Sequence, residues 1–295
     1  MSLRLRYNTA MQRSSRILGM TLLVLAAVTV LVWLALVRED RGRMLTVSFL
    51  DIGQGDAIFI DAPSGRQVLI DGGPADGGLL RRLPKVLPWY DRTIDVVMPT
   101  HPDADHIAGL IGVLSRYRVS YIVHSDVEGD TATAKELVAS MHREGAHDVV
   151  AQRGQIMDLG KGAYLEVLAP DRSVKGVATN DGCVVTRLVY GKTAFMLPCD
   201  APQSVEKYLV ALDGKALKAD VLKAGHHGSR TASAPLFVGF VNPAWVVYSR
   251  GCDNVFGHPN QETIDTMTRF GIPVADTCEE GNITYVSDGE TVWQE

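Results

Sequence analysis

One apolar block dominates the start of the chain: Ile17 to Val37 reads ILGMTLLVLAAVTVLVWLALV, without a charge. At 1.5 Å per residue a helix of that length spans roughly 30 Å, the hydrocarbon thickness of a bilayer. Arg4, Arg6, Arg13 and Arg16 precede it, and Arg38, Arg41 and Arg43 follow it. The pattern divides the chain into a basic segment over 1–16, a transmembrane helix over 17–37, a charged linker over 38–43 and a domain over 44–295. The small arginine excess before the helix puts the N-terminus inside. The expectation is a single-pass membrane protein with its domain outside the cytoplasm, on the periplasmic side. A cleaved signal peptide is the alternative. Its apolar region is usually shorter, and Ala35-Leu-Val37 is a poor cleavage site.

Beyond Leu45 the pattern changes to short β-rich runs. Thr46–Leu50, Ala57–Asp61, Gln67–Ile70 and Ile94–Met98 read as strands, with Pro63-Ser-Gly65 as a hairpin turn. Ile107 to Tyr117 carries Ile107, Leu110, Ile111 and Leu114 at helical spacing, and Ala132–Glu144 reads as a helix ended by Gly145. Strands are expected at Tyr121–His124, Tyr164–Leu168, Val184–Tyr190, Thr193–Leu197, Asp220–Lys223 and Trp245–Ser249. Helices are expected at Ser204–Leu212, Pro235–Val241 and Gln261–Phe270, and a closing hairpin over Asn282–Trp293. Strand-rich and helix-bearing stretches alternate twice, which implies two β-sheets packed face to face with helices outside.

Charge narrows the partners. The chain carries a net −5. Seven arginines and two acids leave residues 1–43 at +5, so residues 44–295 carry −10. Such a domain does not bind nucleic acid by bulk attraction, so an anionic substrate must be held by local cations. Cys183, Cys199, Cys252 and Cys278 form no C-x-x-C pair. Packed, inert thiols are expected, although an oxidising compartment would allow disulfides.

The candidate chemistry lies at strand ends. His101-Pro-Asp103-Ala-Asp105-His106 offers four metal-binding groups within six residues, directly after a strand. Imidazoles with carboxylates suit zinc, manganese or iron. Crowding these groups without a cation is costly, although a solvated acidic turn is the plainer reading. Lys223-Ala-Gly-His226-His227-Gly-Ser229, Asp200 and Phe256-Gly-His258-Pro259 each follow another strand. In an extended backbone adjacent histidines point apart, so one of His226 and His227 is the expected ligand and the other an orienting or substrate-facing group.

In order along the chain, Phe49-Leu-Asp-Ile-Gly-Gln-Gly-Asp56-Ala, Leu69-Ile-Asp71-Gly-Gly73, Thr100-His-Pro-Asp-Ala-Asp-His106, Lys223-Ala-Gly-His-His-Gly-Ser229 and Gly257-His-Pro259 resemble the metallo-β-lactamase fold. They are most similar to the soluble domain attached to the competence protein ComEC and its free-standing relatives. The resemblance covers roughly residues 45–290. It implies an α/β fold, an αββα four-layer sandwich, with one or two divalent metal ions, Zn2+ or Mn2+, at one edge. His101 and Asp103 would hold one ion, with Asp103 in the place of a histidine in the general family motif. Asp105 and His106 would hold the second, Asp200 would bridge, and His227, or alternatively His226, would complete the set. Asp56 and Asp71 match acidic positions beside the site, with Asp71 bracing the loop. Asn180 matches a position where other branches place a histidine. Ser229, His226, His258 and Asn180 fall where substrate contact is expected, and Asp200, His258 and Asp105 where catalysis is. The sequence departs from the family at Leu197-Pro-Cys199-Asp200, and it has one membrane helix where ComEC has many. The expected activity is a phosphodiesterase or nuclease using metal-activated water on a phosphate-containing substrate, DNA or nucleotide. Hydrolysis of another ester, lactone or amide, and a membrane-anchored binding module without catalysis, are the alternatives.

Overall fold

The computed structural model describes the backbone of residues 2–39 and 44–295, and the side chains of residues 16–34 and 44–295. Residues 40–43 of the expected linker, Met1, and the side chains of the basic segment before Arg16 lie outside the described residues. The chain separates into two units, one ending at Arg43 and one running from Met44 to Glu295. The first is helix α1 (Ser2–Glu39), longer at both ends than the apolar block alone predicts. Its stretch Arg16–Leu34 is long and apolar enough to cross a membrane, and none of it is buried.

The second unit holds two sheets. The first has the order β15-β14-β1-β2-β3-β4-β5-β6. Its strands are β1 (Leu45–Phe49), β2 (Ile58–Asp61), β3 (Gln67–Ile70), β4 (Thr93–Met98), β5 (Arg118–His124), β6 (His147–Val150), β14 (Ile283–Ser287) and β15 (Val292–Gln294). The second has the order β13-β12-β11-β10-β9-β8-β7. It comprises β7 (Ile156–Gly160), β8 (Ala163–Ala169), β9 (Val185–Tyr190), β10 (Thr193–Leu197), β11 (Val221–Lys223), β12 (Trp245–Tyr248) and β13 (Val274–Asp276). Each sheet is antiparallel in one half and parallel in the other: β3 to β6 and β10 to β13 run parallel.

The alternation of strand side chains builds three apolar layers. Leu45, Val47, Phe49, Ile58 and Ile60 face Leu165, Val167, Phe195, Leu197 and Val247 between the sheets. Phe59, Leu69 and Val97 point the other way, onto helices α2 (Gly78–Val86), α3 (Ala104–Leu114) and α4 (Ala132–Glu144). Ala194, Met196, Leu222 and Val246 likewise meet α5 (Gln203–Asp213), α6 (Pro235–Val241) and α7 (Gln261–Phe270). The chain is therefore an αββα sandwich, and each fully buried large apolar side chain contributes about 1.5–3 kcal/mol. A last short helix, α8 (Thr277–Glu280), follows β13.

Several elements differ from the sequence pattern. Helix α2, which the sequence reading missed, carries Leu79, Leu83 and Val86 at helical spacing but is only nine residues long with Pro84 inside it. Edge strands β6 and β7 are largely exposed and show no clean alternation, and β13 is three residues long. The expectation of four packed thiols is corrected. Cys183 and Cys199 are buried and free, but Cys252 and Cys278 form a disulfide.

Candidate metal centre

Open α/β sheets present ligands to their sites at the carboxyl ends of parallel strands. Here Asp71 follows β3, His101 follows β4, Asp200 follows β10, His226 and His227 follow β11, and His258 lies in the loop after β12. Helix α3 starts three residues past His101 with Asp103 at its N-cap, which puts Asp105 and His106 in its first turn. That turn is seated by backbone bonds: Gly72 donates to His106 O (2.6 Å) and Gly109 donates to Gly73 O (2.9 Å).

Asp56, His106, Asp200 and His227 are all buried, and their donor atoms lie within 4.8 Å of one another. Atom by atom the set divides. His106 Nε2 and His227 Nε2 are 3.3 Å apart, and each is 3.3 Å from Asp200 Oδ2. Asp105 Oδ2 is 3.5 Å from His227 Nε2. Asp56 instead faces the back of His227, with Oδ1 3.3 Å from Nδ1. Its other oxygen pairs with Lys223, whose Nζ is also 3.4 Å from Asp200 Oδ1.

The tautomers explain why the front atoms require a cation. His227 Nδ1 donates to the Ser249 carbonyl (2.9 Å), and His106 Nδ1 donates to Asp71 Oδ2 (2.8 Å). In the neutral imidazoles both Nε2 atoms are then lone-pair acceptors aimed at one another and at a carboxylate oxygen. Three acceptors at 3.3 Å repel unless something positive sits among them. For metal–ligand bonds of about 2.0–2.2 Å, a tetrahedral site has ligand–ligand edges of about 3.3–3.6 Å. The separations among His106, Asp200 and His227 fall in that range, and Asp105 stands at such a distance from His227, so these groups could hold one divalent ion.

His101 belongs to a second donor pair. Its Nδ1 lies 3.1 Å from Thr100 Oγ1 and 3.3 Å from Cys199 Sγ. Its Nε2 is buried without a hydrogen-bond partner and lies 3.5 Å from Asp103 Oδ2. Asp71 ties the two halves together, since its Oδ1 accepts from the Thr100 amide (2.8 Å) and its Oδ2 from the Thr100 hydroxyl (2.7 Å). A cleft of about 400 Å³ opens beside His101, lined among others by Pro102, His124, Glu128 and Lys175.

The field of these carboxylates is strong. Burial opposes ionisation of Asp200, but His227, His106 and Lys223 hold its carboxyl well below the usual range. Burial likewise opposes charge on His106 and His227, yet Asp200, with Asp71 and Asp56 respectively, pushes both imidazoles well above their ordinary value. In each case the pocket favours positive charge, which protons on His106 and His227 supply here and a divalent ion would replace. Lys223 is wholly buried and held above its usual range by Asp56 and Asp200 against the opposing effect of burial. Burial pushes the Cys199 thiol up, so it packs as a neutral group.

The remaining expected residues fall around this core. The histidine pair is not extended: His226 (φ 48°) and His227 (φ 56°) are both left-handed, and both Nε2 atoms face Asp200, that of His226 at 3.6 Å. The expectation that adjacent histidines point apart is thereby corrected. Ser229 is buried, and its hydroxyl pairs with Thr231 Oγ1 (2.9 Å), which contacts His226 Nδ1 (3.0 Å). Asn180 follows Thr179, whose side chain bonds Asp103. The His258 ring is 5.7 Å from that of His226 and 6.4 Å from that of His227. Burial, with the neighbouring histidines, lowers its pKa to about 4, so it is a neutral imidazole. Sequence reasoning gave Lys223 no role. Its signal was a charged residue in an otherwise apolar strand, which must find a partner when buried. Ser249 acts through its carbonyl and leaves no side-chain signal.

The metallo-beta-lactamase superfamily model, Lactamase_B, matches residues 50–236, and the chain belongs to that superfamily. Among curated proteins it is similar to ComE operon protein 3 of Bacillus subtilis, 27% identical over 255 residues that cover 81% of this chain and 32% of that protein. It is similar also to Competence protein ComA of Neisseria gonorrhoeae (28% over 239 residues, 81% and 32%) and Recombination protein 2 of Haemophilus influenzae (26% over 241 residues, 80% and 28%). The chain thus spans about a third of the length of these relatives. Among solved structures, the metallo-beta-lactamase fold protein YhfI of Bacillus subtilis superposes with a TM-score of 0.53 at 14% identity, covering 85% of this chain and all of that one. CmlA, a diiron beta-hydroxylase from Streptomyces venezuelae, gives 0.51 at 14%, covering 78% and 52%. These two likenesses establish the fold alone.

Proposed function

We propose that this chain is a membrane-tethered, metal-dependent phosphodiesterase. The observation that carries the reading is the triangle of His106 Nε2, His227 Nε2 and Asp200 Oδ2, three acceptors 3.3 Å apart with both imidazole tautomers fixed from behind. A divalent ion bound there supplies Lewis acidity, which activates water and draws charge from a phosphoryl oxygen. Asp105, His106, Asp200 and His227 would hold one such ion, and His101 with Asp103 a second. Lys223 attends Asp200 Oδ1, which leaves Oδ2 free to hold an ion bound there. His258, neutral and beside His226, is suited to hold a phosphate oxygen by an N–H bond. Zn2+ or Mn2+ suits the mixed nitrogen and oxygen donors.

Two further facts favour phosphate chemistry. With His101 and Asp103 included, five carboxylates and one ammonium crowd the site, a charge that two divalent ions would balance. Two of the relatives are a competence protein and a recombination protein. The decisive test is hydrolysis of bis(p-nitrophenyl) phosphate by the purified full chain with Mn2+ or Zn2+. Activity should vanish with chelator, return with metal, and fall by at least about 100-fold in His227→Ala. Turnover indifferent to both would refute the proposal.

A further inference from the structure

Phe256 stands at the tip of the loop after β12, 61% exposed, beside Val255 at 90%. An exposed aromatic on a loose loop is common and carries little meaning, but this loop is fixed. Asn254 Nδ2 donates to Gly251 O (2.8 Å) and His258 O (2.9 Å), while its Oδ1 accepts from the His258 amide (2.8 Å). Asn260 Nδ2 donates to Gly257 O (3.0 Å), and the Cys252–Cys278 disulfide anchors the loop base. Five polar and covalent ties thus hold an apolar ring in water, where burial elsewhere would have stabilised it by about 2 kcal/mol.

The ring is also aimed. Phe256 stacks on His258 with centroids 5.6 Å apart and planes 24° from parallel. His258 in turn lies 6.4 Å from His227 with planes 32° apart. His258 thus stands between the two rings, and the Phe256 ring lies within 12 Å of the His227 ring. The inner face of Phe256 is covered by imidazole, and its outer surface is open.

We infer that Phe256 is a substrate-contact residue that stacks against a nucleobase whose own phosphodiester lies at the metal centre. This rests on the phosphodiesterase reading and names the group beside the scissile phosphate. A flat π-surface continues a ladder of rings with little sequence preference, as base–aromatic stacking does. A rigid platform needs no ordering when the base arrives. The same chemistry is offered by a short nucleotide and by a single strand of nucleic acid. The net −10 of residues 44–295 makes the short nucleotide the better substrate, because no excess of cations is available to follow a long backbone.

The test compares the full chain with its Phe256→Ala and Phe256→Trp variants in the presence of Mn2+. Substrates are a dinucleoside monophosphate, a single-stranded oligonucleotide and their abasic counterparts. In Phe256→Ala the preference for base-bearing over abasic substrate, as a ratio of kcat/KM, should fall by about 5- to 150-fold, and Phe256→Trp should restore it. An unchanged ratio would overturn the inference. The dinucleotide should match or exceed the oligonucleotide for the short source; the reverse order assigns the site to the strand. If the unaltered chain cleaves no diester, the phosphodiesterase reading fails by itself. Stacking is then read directly from quenching of a 2-aminopurine dinucleotide, which Phe256→Ala must abolish; quenching that survives the substitution would sink the assignment.

Discussion

Glu206 of α5 is buried, and its carboxyl oxygens accept the amides of Ser233 (2.6 Å) and Ala234 (2.7 Å). Burial outweighs these bonds and raises its pKa to about 7. The folded state therefore holds a proton that the unfolded state has lost between about pH 4.5 and 7. Stability from this group is full below about pH 4.5 and is lost as pH rises through about 7, by about 3 kcal/mol in all. Glu206→Gln should be less stable, because an amide cannot accept both N–H groups, and should flatten the change of Tm across that window. An unaltered pH slope in thermal unfolding would contradict the assignment. Residues of this kind were poorly legible in the sequence, where Glu206 looks like any helix-surface acid. His101 to His106 could be read directly, because its groups are contiguous and follow a strand. Lys223, Thr100 and the Ser249 carbonyl could not, because their roles arise only when β4, β11 and β12 converge. The left-handed backbone of His226 and His227 was equally hidden, since residue type does not announce a positive φ outside glycine.

Element by element, strands with one face in the central layer and one under helices were readable as buried apolar runs. Of the unread elements, β6, β7 and β13 lie at sheet edges, where burial no longer writes a periodic pattern, and α2 is short with a proline inside it, although its leucines keep helical spacing. The contact of α3 with the loop after β3 was similarly invisible. Gly109 lies so near that loop that a Cβ there would sit 2.0 Å from Gly72 O. The glycine serves close approach, not a turn, and the approach sets the depth of His106. Gly109→Ala should lift α3 from the loop and cost about 1–3 kcal/mol in urea unfolding. A midpoint equal to that of the unaltered chain would show that the helix can shift freely.

Across the whole molecule, the apolar stretch of α1 and the Cys252–Cys278 bond bear on where the second unit resides. Disulfides persist in oxidising compartments, so we propose that the domain lies outside the cytoplasm. In intact cells stripped of their outer layers, a membrane-impermeant maleimide should label Cys252 and Cys278 only after mild reduction. Labelling that requires the cells to be lysed would place the domain inside. The pairing of β1 with β14 bears on how that domain comes into being. Leu45 is matched to Ser287, so one edge of β1 waits for a partner that lies far downstream in the chain. A chain emerging from its N-terminus cannot finish the first sheet piecemeal, and until residues 283–287 arrive that edge stays open to strands of neighbouring nascent chains.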